Sequence, residues 1–196
     1  MSPEPSTDAG TRAQAATPYR FRETHEARDH TIIVGGASSE NREYLPVAIV
    51  DREVIVSNLA FAIYDGPIWT FSIIGSRLHQ SWIAAVCGKL ESRYRYANTL
   101  GWHTFPVPTL TDKDKVDLED TARGILFTRA FHVGKTIADL YDPDEMPDDL
   151  REAHRKNDEM IEKIYIGRTF RNDTERLEHL FQRYSKMVAA KVKADA

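Results

Sequence analysis

The chain has 196 residues, enough for one large domain or two small ones, and its hydrophobic content of 41% is adequate for a folded core. Its formal net charge of −4 argues against a strongly basic protein that binds any nucleic acid, although a local basic patch that contacts DNA remains compatible with it. No apolar run reaches membrane-spanning length, and the single cysteine, Cys87, fits a reducing compartment, so a cytoplasmic protein without a membrane partner is predicted.

The N-terminal part of the chain is predicted to be a disordered leader followed by a small sheet. Residues 1–21 are rich in Ser, Pro, Thr, Ala and Gly and contain no apolar core of a secretory signal. Three apolar, β-branched runs then predict strands, at His30 to Gly36, Leu45 to Val50 and Glu53 to Tyr64, the last of them broken near Ser57-Asn58. Turn signals separate these runs, so a mostly antiparallel sheet is expected.

A helix is predicted to pack on this sheet. Apolar residues recur with helical spacing between Ile68 and Leu90, where Ser76 is a suitable N-cap and Gly88 a suitable stop. The residues that follow, Asn98 to Trp102, are expected to form a loop.

The second half is predicted to be a helical subdomain of three or so helices. The fold class is therefore α+β, with residues 22–108 and 109–196 as its two units. Thr111 with Asp114 resembles a capping box, Gly134 is expected to end the first helix, and the tail from Ala189 is expected to fray. The positions expected to face inward are Leu118, Ala122, Ile125, Leu126, Val133, Leu150, Ala153, Asn157, Ile161, Ile164, Leu177, Leu180, Phe181, Tyr184 and Val188.

The segment Glu91-Ser-Arg-Tyr-Arg-Tyr96 carries the most distinctive chemistry. In an extended chain, Glu91, Arg93 and Arg95 would point to one side and the serine and tyrosines to the other. Arginine pairs with guanine in the major groove, a carboxylate can accept from the cytosine amine, and tyrosine and serine suit phosphate contacts. An ordinary edge strand with a solvated salt-bridge face explains the same residue types, so both interpretations stay open at this level.

Motifs for catalysis or metal binding are missing. The chain has no P-loop, no dinucleotide fingerprint, no nucleophile elbow and no His/Cys grouping with zinc spacing, so neither catalytic nor metal-binding residues are predicted. His154 and Asp158 are spaced i, i+4 on a helix, where a local hydrogen bond or a solvated pair is far more common than a catalytic pair.

A series of short motifs nevertheless occurs in order along residues 22–190. They are Ser38-Ser-Glu-Asn-Arg-Glu-Tyr-Leu-Pro46, Ser57-Asn58, Leu78-His-Gln-Ser-Trp82, Cys87-Gly-Lys-Leu-Glu-Ser-Arg-Tyr-Arg-Tyr96, Asn98-Thr99, Phe105-Pro-Val-Pro108, Ala138-Asp-Leu-Tyr-Asp-Pro143, Met146-Pro147, Ala153-His154 and Asn157-Asp158. Together they resemble the C-terminal part of the MmeI-like enzymes. These are single-chain restriction-modification proteins that join an endonuclease, an adenine-N6 DNA methyltransferase and a target recognition domain.

The resemblance implies a division of the chain and a set of DNA contacts. Residues up to about 108 would be the end of the target recognition domain, and the rest a C-terminal helical domain. The positions that would read bases are Glu91, Arg93 and Arg95. The positions that would contact the DNA backbone are Ser39, Arg42, Lys89 and Tyr94.

The chain departs from the family pattern in its lack of catalytic motifs. Neither the cofactor loop and Asn/Asp-Pro-Pro-Tyr/Phe motif of the methyltransferase nor the acidic-lysine cluster of the endonuclease is present. S-adenosylmethionine and Mg²⁺ are therefore expected only for other domains of such an enzyme. The sequence predicts a module that recognises double-stranded DNA. The alternative is a non-catalytic interaction module, or a truncated-gene remnant, that docks onto a methyltransferase or endonuclease chain, and self-association is also predicted.

Overall fold

The computed structural model describes residues 24–90 and 93–194, together with Ala15 and residues 17–19. Apart from those four positions, the predicted leader lies outside the described residues. The strands are β1 His30–Gly35, β2 Ala37–Ser38, β3 Val47–Asp51, β4 Ala60–Tyr64, β5 Lys89–Leu90 and β6 Arg93–Arg95. The helices are α1 Trp69–Ile74, α2 Arg77–Val86, α3 Asn98–Gly101, α4 Asp112–Phe131, α5 Ile137–Leu140, α6 Asp148–Ile166 and α7 Asp173–Ala194. The predicted α+β class is confirmed.

Two three-stranded antiparallel sheets meet at Gly36. The first has the order β3-β1-β4, with Ile32 opposite Ile49 and Ile63, and the second has the order β2-β6-β5. The Gly36 amide donates to the Leu59 carbonyl at 2.9 Å, and its carbonyl accepts from the Tyr96 amide at 3.0 Å. A Cβ on Gly36 would lie 2.9 Å from the Leu59 oxygen, so only glycine allows the two backbones to approach this closely.

The helical region after the first sheet is split in two. Helix α1 ends at Ile74, with Gly75 as its C-cap, and Ser76 adopts an extended conformation in which its Oγ accepts from the His79 amide at 3.1 Å. The prediction of Ser76 as an N-cap is confirmed, because its hydroxyl accepts a hydrogen bond from a first-turn amide that has no carbonyl partner within the helix. Helix α2 ends at Val86, shortly before the predicted stop.

Other predicted boundaries need correction. The third predicted strand, Glu53 to Tyr64, is observed only as β4, which begins at Ala60. The predicted break near Ser57-Asn58 is a turn in which the Ala60 amide donates to the Ser57 carbonyl. The predicted loop after Asn98 contains the one-turn helix α3.

The C-terminal helices begin where the sequence predicts and end elsewhere. The Thr111 and Asp114 capping box is present, with the Thr111 amide donating to the Asp114 carboxylate at 2.9 Å. Helix α4 ends at Phe131, which places Val133 beyond it with 91% exposure, so Val133 does not face inward and Gly134 does not end the helix. Helix α7 extends to Ala194, past the predicted fraying point, and Val188 is exposed on it.

Two hydrophobic clusters fill the interior, and each draws on both sides of the predicted boundary near residue 108. The first includes Ile32, Val34, Val47, Phe71, Ile125 and Leu150. The second includes Ile73, Leu78, Trp82, Phe105, Leu118, Ile161 and Leu180. The helical part therefore packs directly on the elements that carry the candidate site, and the two-unit division stays a prediction.

A buried amide links three helices across that boundary. Asn157 on α6 is fully buried, and its Oδ1 accepts hydrogen bonds from Thr121 on α4, at 2.7 Å, and from the Ser72 hydroxyl on α1. Its Nδ2 donates to the Ser72 carbonyl at 2.9 Å. Because a buried amide is costly unless its groups are paired, this set of bonds fixes how the three helices meet.

Candidate nucleic-acid interface

The second sheet presents two exposed arginines on one face. In β6 the side chains of Arg93 and Arg95 are exposed, while Tyr94 between them is half-buried, as the predicted alternation requires. Arg95 lies opposite the exposed Ala37 of β2, and Arg93 lies opposite Leu90 of β5. Glu91, the third predicted base-reading residue, lies outside the described residues, as does Ser92.

The predicted backbone-contacting residues of this sheet share the other face. Tyr94 is paired in register with Ser38 and Lys89, and directly opposite residues of antiparallel strands share a face. The Lys89 ammonium lies 5.7 Å from the centre of the Tyr94 ring, within the range of a cation–π contact. The structure thus separates the predicted base-reading arginines from the Lys89–Tyr94 pair by the thickness of one sheet.

The end of β6 is held against the body of the protein by Tyr96. Its ring is buried, and its hydroxyl lies 3.2 Å from Nε2 of the buried His79 on α2. A Cβ on Gly101 would come within 3.3 Å of that ring, so the glycine makes room for it. Burial lowers the pKa of His79 to about 3, and the imidazole is therefore neutral at physiological pH. The strand that carries the two exposed arginines is therefore anchored to the core at its C-terminal end.

The loop that follows β2 holds Ser39 and Arg42 beside the second sheet. Ser39 Oγ accepts from the Asn41 amide at 3.2 Å, which leaves its own proton free to donate. The Arg42 carbonyl accepts from Nε2 of Gln80 at 2.7 Å, so helix α2 fixes this loop. Arg42, Gln80 and Tyr94 line one groove of about 400 Å³. Two predicted backbone contacts, Arg42 and Tyr94, therefore lie together.

The carboxylates near this groove are engaged by other arginines. Glu43 accepts from Arg151 at 2.9 Å, and Asp173 pairs with Arg77 at 2.7 Å. The Arg77 guanidinium lowers the pKa of Asp173 to about 2, so this carboxylate is charged and already compensated.

The cations of the candidate interface have no such partners among the described residues. Across residues 24–90 and 93–194, no carboxylate forms an ion pair with Arg42, Lys89, Arg93 or Arg95. The alternative interpretation of β6, a solvated salt-bridge face, depends on Glu91, which lies outside the described residues, so it stays a prediction beside the DNA-reading one. These four cations, on and beside one small sheet, have the chemistry to bind phosphates or base edges.

Sequence reasoning missed two neighbours of these cations. Gln80 lies in the motif Leu78-His-Gln-Ser-Trp82, which is one of the motifs that carry the family resemblance. No property of the sequence predicts that its side-chain amide donates to the Arg42 carbonyl and so fixes the loop after β2. The turn at Ser57 to Leu59 is brought beside β6 through Gly36, and Leu59 is 79% exposed there. An apolar residue directly after a Ser-Asn turn is a signal that could have drawn attention to this loop.

No catalytic arrangement is found among the residues that the structure describes. His154 is buried and lies 2.6 Å from the Tyr141 hydroxyl, while Asp158 accepts from the Arg77 amide at 2.8 Å. The two are neither solvated nor bonded to each other, which corrects the prediction of a local or solvated pair. Within the described ranges, no group of three or more His, Cys, Asp or Glu residues could hold a metal ion, and no helix is long and apolar enough to cross a membrane.

Comparison with known proteins adds the family context of this geometry. Residues 3–109 match the domain described as MmeI, target recognition domain, and residues 110–192 match MmeI, C-terminal domain. DNA methyltransferase A of Bacillus subtilis (strain 168) is 42% identical over 184 residues, which are 94% of this chain and 21% of the relative. A solved structure described as the Type IIL restriction-modification enzyme MmeI in complex with DNA matches with a TM-score of 0.86 and 34% identity, over 94% of this chain and 25% of that one. The chain spans about a fifth to a quarter of these relatives.

Proposed function

Because this chain belongs to the MmeI family, as a target recognition domain followed by a C-terminal domain, we propose that it recognises a DNA sequence on behalf of a restriction-modification methyltransferase. The observation that carries the proposal is the pair Arg93 and Arg95, exposed on one face of β6 and free of carboxylate partners in the described part of the chain. Exposed guanidiniums on a rigid strand suit the major groove, which admits a β-ribbon.

Arg93 and Arg95 are assigned to base edges. Each guanidinium can donate two parallel hydrogen bonds to O6 and N7 of guanine, and one such pair discriminates against the wrong base by about 1–3 kcal/mol. Glu91 is assigned to the amine of cytosine or adenine, by its place in the alternating pattern of the sequence and by the family resemblance. The Tyr96 anchor supports these roles, since precise base contacts need a strand that does not move.

Arg42, Lys89, Ser39 and Tyr94 are assigned to phosphates. They lie on or beside the opposite face of the same thin sheet, and the major groove, about 12 Å wide, has a phosphate wall on each side. Such contacts position the protein without reading sequence. They also make affinity depend on salt, because each neutralised phosphate releases counterions.

In this proposal the methyl transfer itself belongs to other parts of the enzyme. The relative from Bacillus subtilis is a DNA methyltransferase, and this chain corresponds to about a fifth of it. The 196 residues contain none of the motifs for S-adenosylmethionine or for metal-dependent cleavage. We assign those cofactors, S-adenosylmethionine and Mg²⁺, to the methyltransferase and endonuclease domains, and we place the complex in the cytoplasm.

A second candidate function is an interaction module that docks onto a methyltransferase chain without binding DNA. The exposed apolar residues at the end of α4 favour it, since Phe127 and Phe131 are 66% and 67% exposed and their rings pack edge to face. Exposed aromatic pairs of this kind are typical of protein-binding surfaces.

Fluorescence anisotropy separates the two functions. The chain is titrated onto duplexes enriched from a random pool and onto unselected duplexes, at low and high salt. The DNA-reading proposal expects tighter binding to the enriched set. An isolated recognition module should otherwise fall near the non-specific range of about 10⁻⁴–10⁻⁶ M. Absence of binding to every duplex at low salt would leave only the interaction module.

Arg123→Ala is the matched control for Arg93→Ala. Arg123 is also exposed and without an ion pair among the described residues, but it lies on α4 and not on the second sheet. Arg93→Ala should reduce the preference for the enriched duplexes, whereas Arg123→Ala should leave it unchanged. Equal effects of the two substitutions would refute the assignment of β6 to base reading.

A further inference from the structure

Helices α4 and α6 leave a groove of about 550 Å³ between them. The two helices run antiparallel, since Thr121 bonds to Asn157 while His132, just past the end of α4, bonds to Asp149 at the start of α6. Both helices contribute a small residue to its lining, Gly124 from α4 and Ala153 from α6.

Gly124 has no role in the packing of the described chain. A Cβ at this position would meet no atom within 4 Å, and the residue lies in the middle of a 20-residue helix, where glycine is less stable than alanine. The missing side chain leaves the groove open, and Gly124 also borders a shallow surface depression lined by Leu126 and Phe127. The space is apolar and faces outward.

The rim of the groove is acidic. Asp117 and Asp120 border it on α4, and Asp149 and Glu152 border it on α6, against one lysine, Lys156. Three of these carboxylates have local basic partners, Asp117 with Lys113, Asp149 with His132 and Glu152 with Arg155, so Asp120 is the rim carboxylate without an ion pair among the described residues. A partner with apolar side chains for the centre and cations for the edges, where Asp120 is unpaired, would therefore match this groove.

The last turns of helix α7 have that composition. Residues 185–193 are all exposed, and Met187, Val188 and Val192 are 39%, 41% and 63% exposed. These three continue the stripe whose first half buries Leu180 against the body of the protein. No element within the described residues covers this second half.

The same turns are strongly basic. Arg183, Lys186, Lys191 and Lys193 lie in residues 179–194, which contain no Asp or Glu. The lengths also agree. Residues 185–194 of a helix extend about 15 Å, and the groove from Asp117 to Thr128 follows about 17 Å of α4.

We propose that the groove between α4 and α6 takes the end of helix α7 from a second copy of this chain. Two basic helix ends repel each other, and so do two acidic grooves, so the helix in the groove is the complementary pairing. If each copy gives one helix end and receives one, the assembly is a dimer with two-fold symmetry. This inference does not depend on DNA recognition.

Analytical ultracentrifugation of the full chain tests the proposal. A dimer is expected at low salt, and it should dissociate as salt rises, because charged rims contribute to the contact. Gly124→Met places a side chain in the groove without a clash within the chain, because a Cβ there meets no atom within 4 Å. Val188→Asp places a carboxylate in the apolar stripe of α7. Each should weaken dimerisation at least tenfold without loss of helical circular dichroism. Gln182→Asp adds the same charge on the far side of α7 and should leave the dimer intact.

Mixing the two variants gives the decisive measurement. The Gly124→Met variant has an unaltered α7, and the Val188→Asp variant has an unaltered groove. A mixed dimer therefore contains one unaltered helix-in-groove contact, and the mixture should associate more strongly than either variant alone. A chain that stays monomeric at low salt and high concentration overturns the proposal. So does a dimer that is indifferent to both substitutions, or a groove that binds a separately supplied methyltransferase domain of the family while the chain itself remains monomeric.

Discussion

The hydroxyl of Tyr96 lies 3.2 Å from Nε2 of His79, and both side chains are buried. Tyr96 directly follows strand β6, and His79 belongs to the first turn of helix α2. Because burial lowers the pKa of His79 to about 3, the bond joins two neutral groups and does not depend on pH in the physiological range. This contact fixes the position of the arginine-bearing strand relative to the core.

Tyr96→Phe should therefore destabilise the protein by about 1–3 kcal/mol, since it leaves a buried ring nitrogen of His79 without its partner. Urea unfolding monitored by tryptophan fluorescence measures the change. Tyr94→Phe is the matched control on the neighbouring residue, whose hydroxyl bonds to no described residue, and it should change the free energy of unfolding by less than about 0.5 kcal/mol. Similar destabilisation of the two variants would contradict the anchoring role of Tyr96.

Arg42→Ala should weaken binding to all duplexes alike. A phosphate contact carries no sequence information, so the slope of log K against log salt should become shallower by about 0.9 for each phosphate that is no longer neutralised. Anisotropy titrations of Arg42→Ala and Arg93→Ala over a series of salt concentrations give both the sequence preference and the salt slope. A change in sequence preference with Arg42→Ala would place this residue at base edges instead.

Glu162→Gln should destabilise the junction of α6 and α7. Glu162 is 2% exposed, accepts from the Phe170 amide at 2.7 Å and pairs with Arg176 at 2.6 Å. The substitution removes one of two charges that face the largely buried Arg176 guanidinium, which keeps Asp173 as an ion-pair partner at 2.8 Å, so we expect a cost of about 1.5–3 kcal/mol. Glu159→Gln removes an exposed carboxylate from the same helix and should cost less than about 1 kcal/mol. Denaturant unfolding of both variants measures the two losses in the free energy of unfolding. Equal losses would contradict the larger contribution assigned to the buried carboxylate.

Local rules were sufficient for much of the fold. The Ser76 cap and the Thr111 and Asp114 box depend on residues three apart, so the sequence predicts them directly. The exposure of Val133 and the full length of α7 do not follow from such rules. Helical spacing predicts which residues share a face, but it does not predict whether another element covers that face, as the exposed Val188 shows.

The candidate site shows the same limit. Alternation along β6 correctly predicts that Arg93 and Arg95 share an exposed face. The opposite placement of Lys89 depends on its pairing with Tyr94, and the position of Arg42 depends on the Gln80 amide, 38 residues away in sequence. Contacts between distant segments decide which cations lie together, and residue spacing contains no such information. The base-reading and phosphate roles stay predictions.

Asp158 should make the stability of the protein fall as pH rises. Burial raises its pKa to about 7, although the Arg77 amide opposes the shift, whereas a carboxyl of the unfolded chain titrates near pH 4. Between these values the folded protein holds a proton that the unfolded chain lacks. The free energy of unfolding therefore falls by up to about 1.4 kcal/mol per pH unit on this account.

Asp158→Asn isolates this effect from the histidines. Burial lowers the pKa of His79 and His154 to about 3, so their contribution rises with pH up to about 6.5 and opposes that of Asp158. Both histidines are common to the variant and the wild type, and the amide oxygen can still accept from Arg77. The stability of Asp158→Asn relative to wild type should increase by roughly 2–4 kcal/mol from about pH 4 to 7. Urea unfolding at several pH values measures this difference, with Asp120→Asn as a control for the loss of one carboxylate. A difference that stays constant over the range would show that Asp158 is ionised in the folded protein throughout.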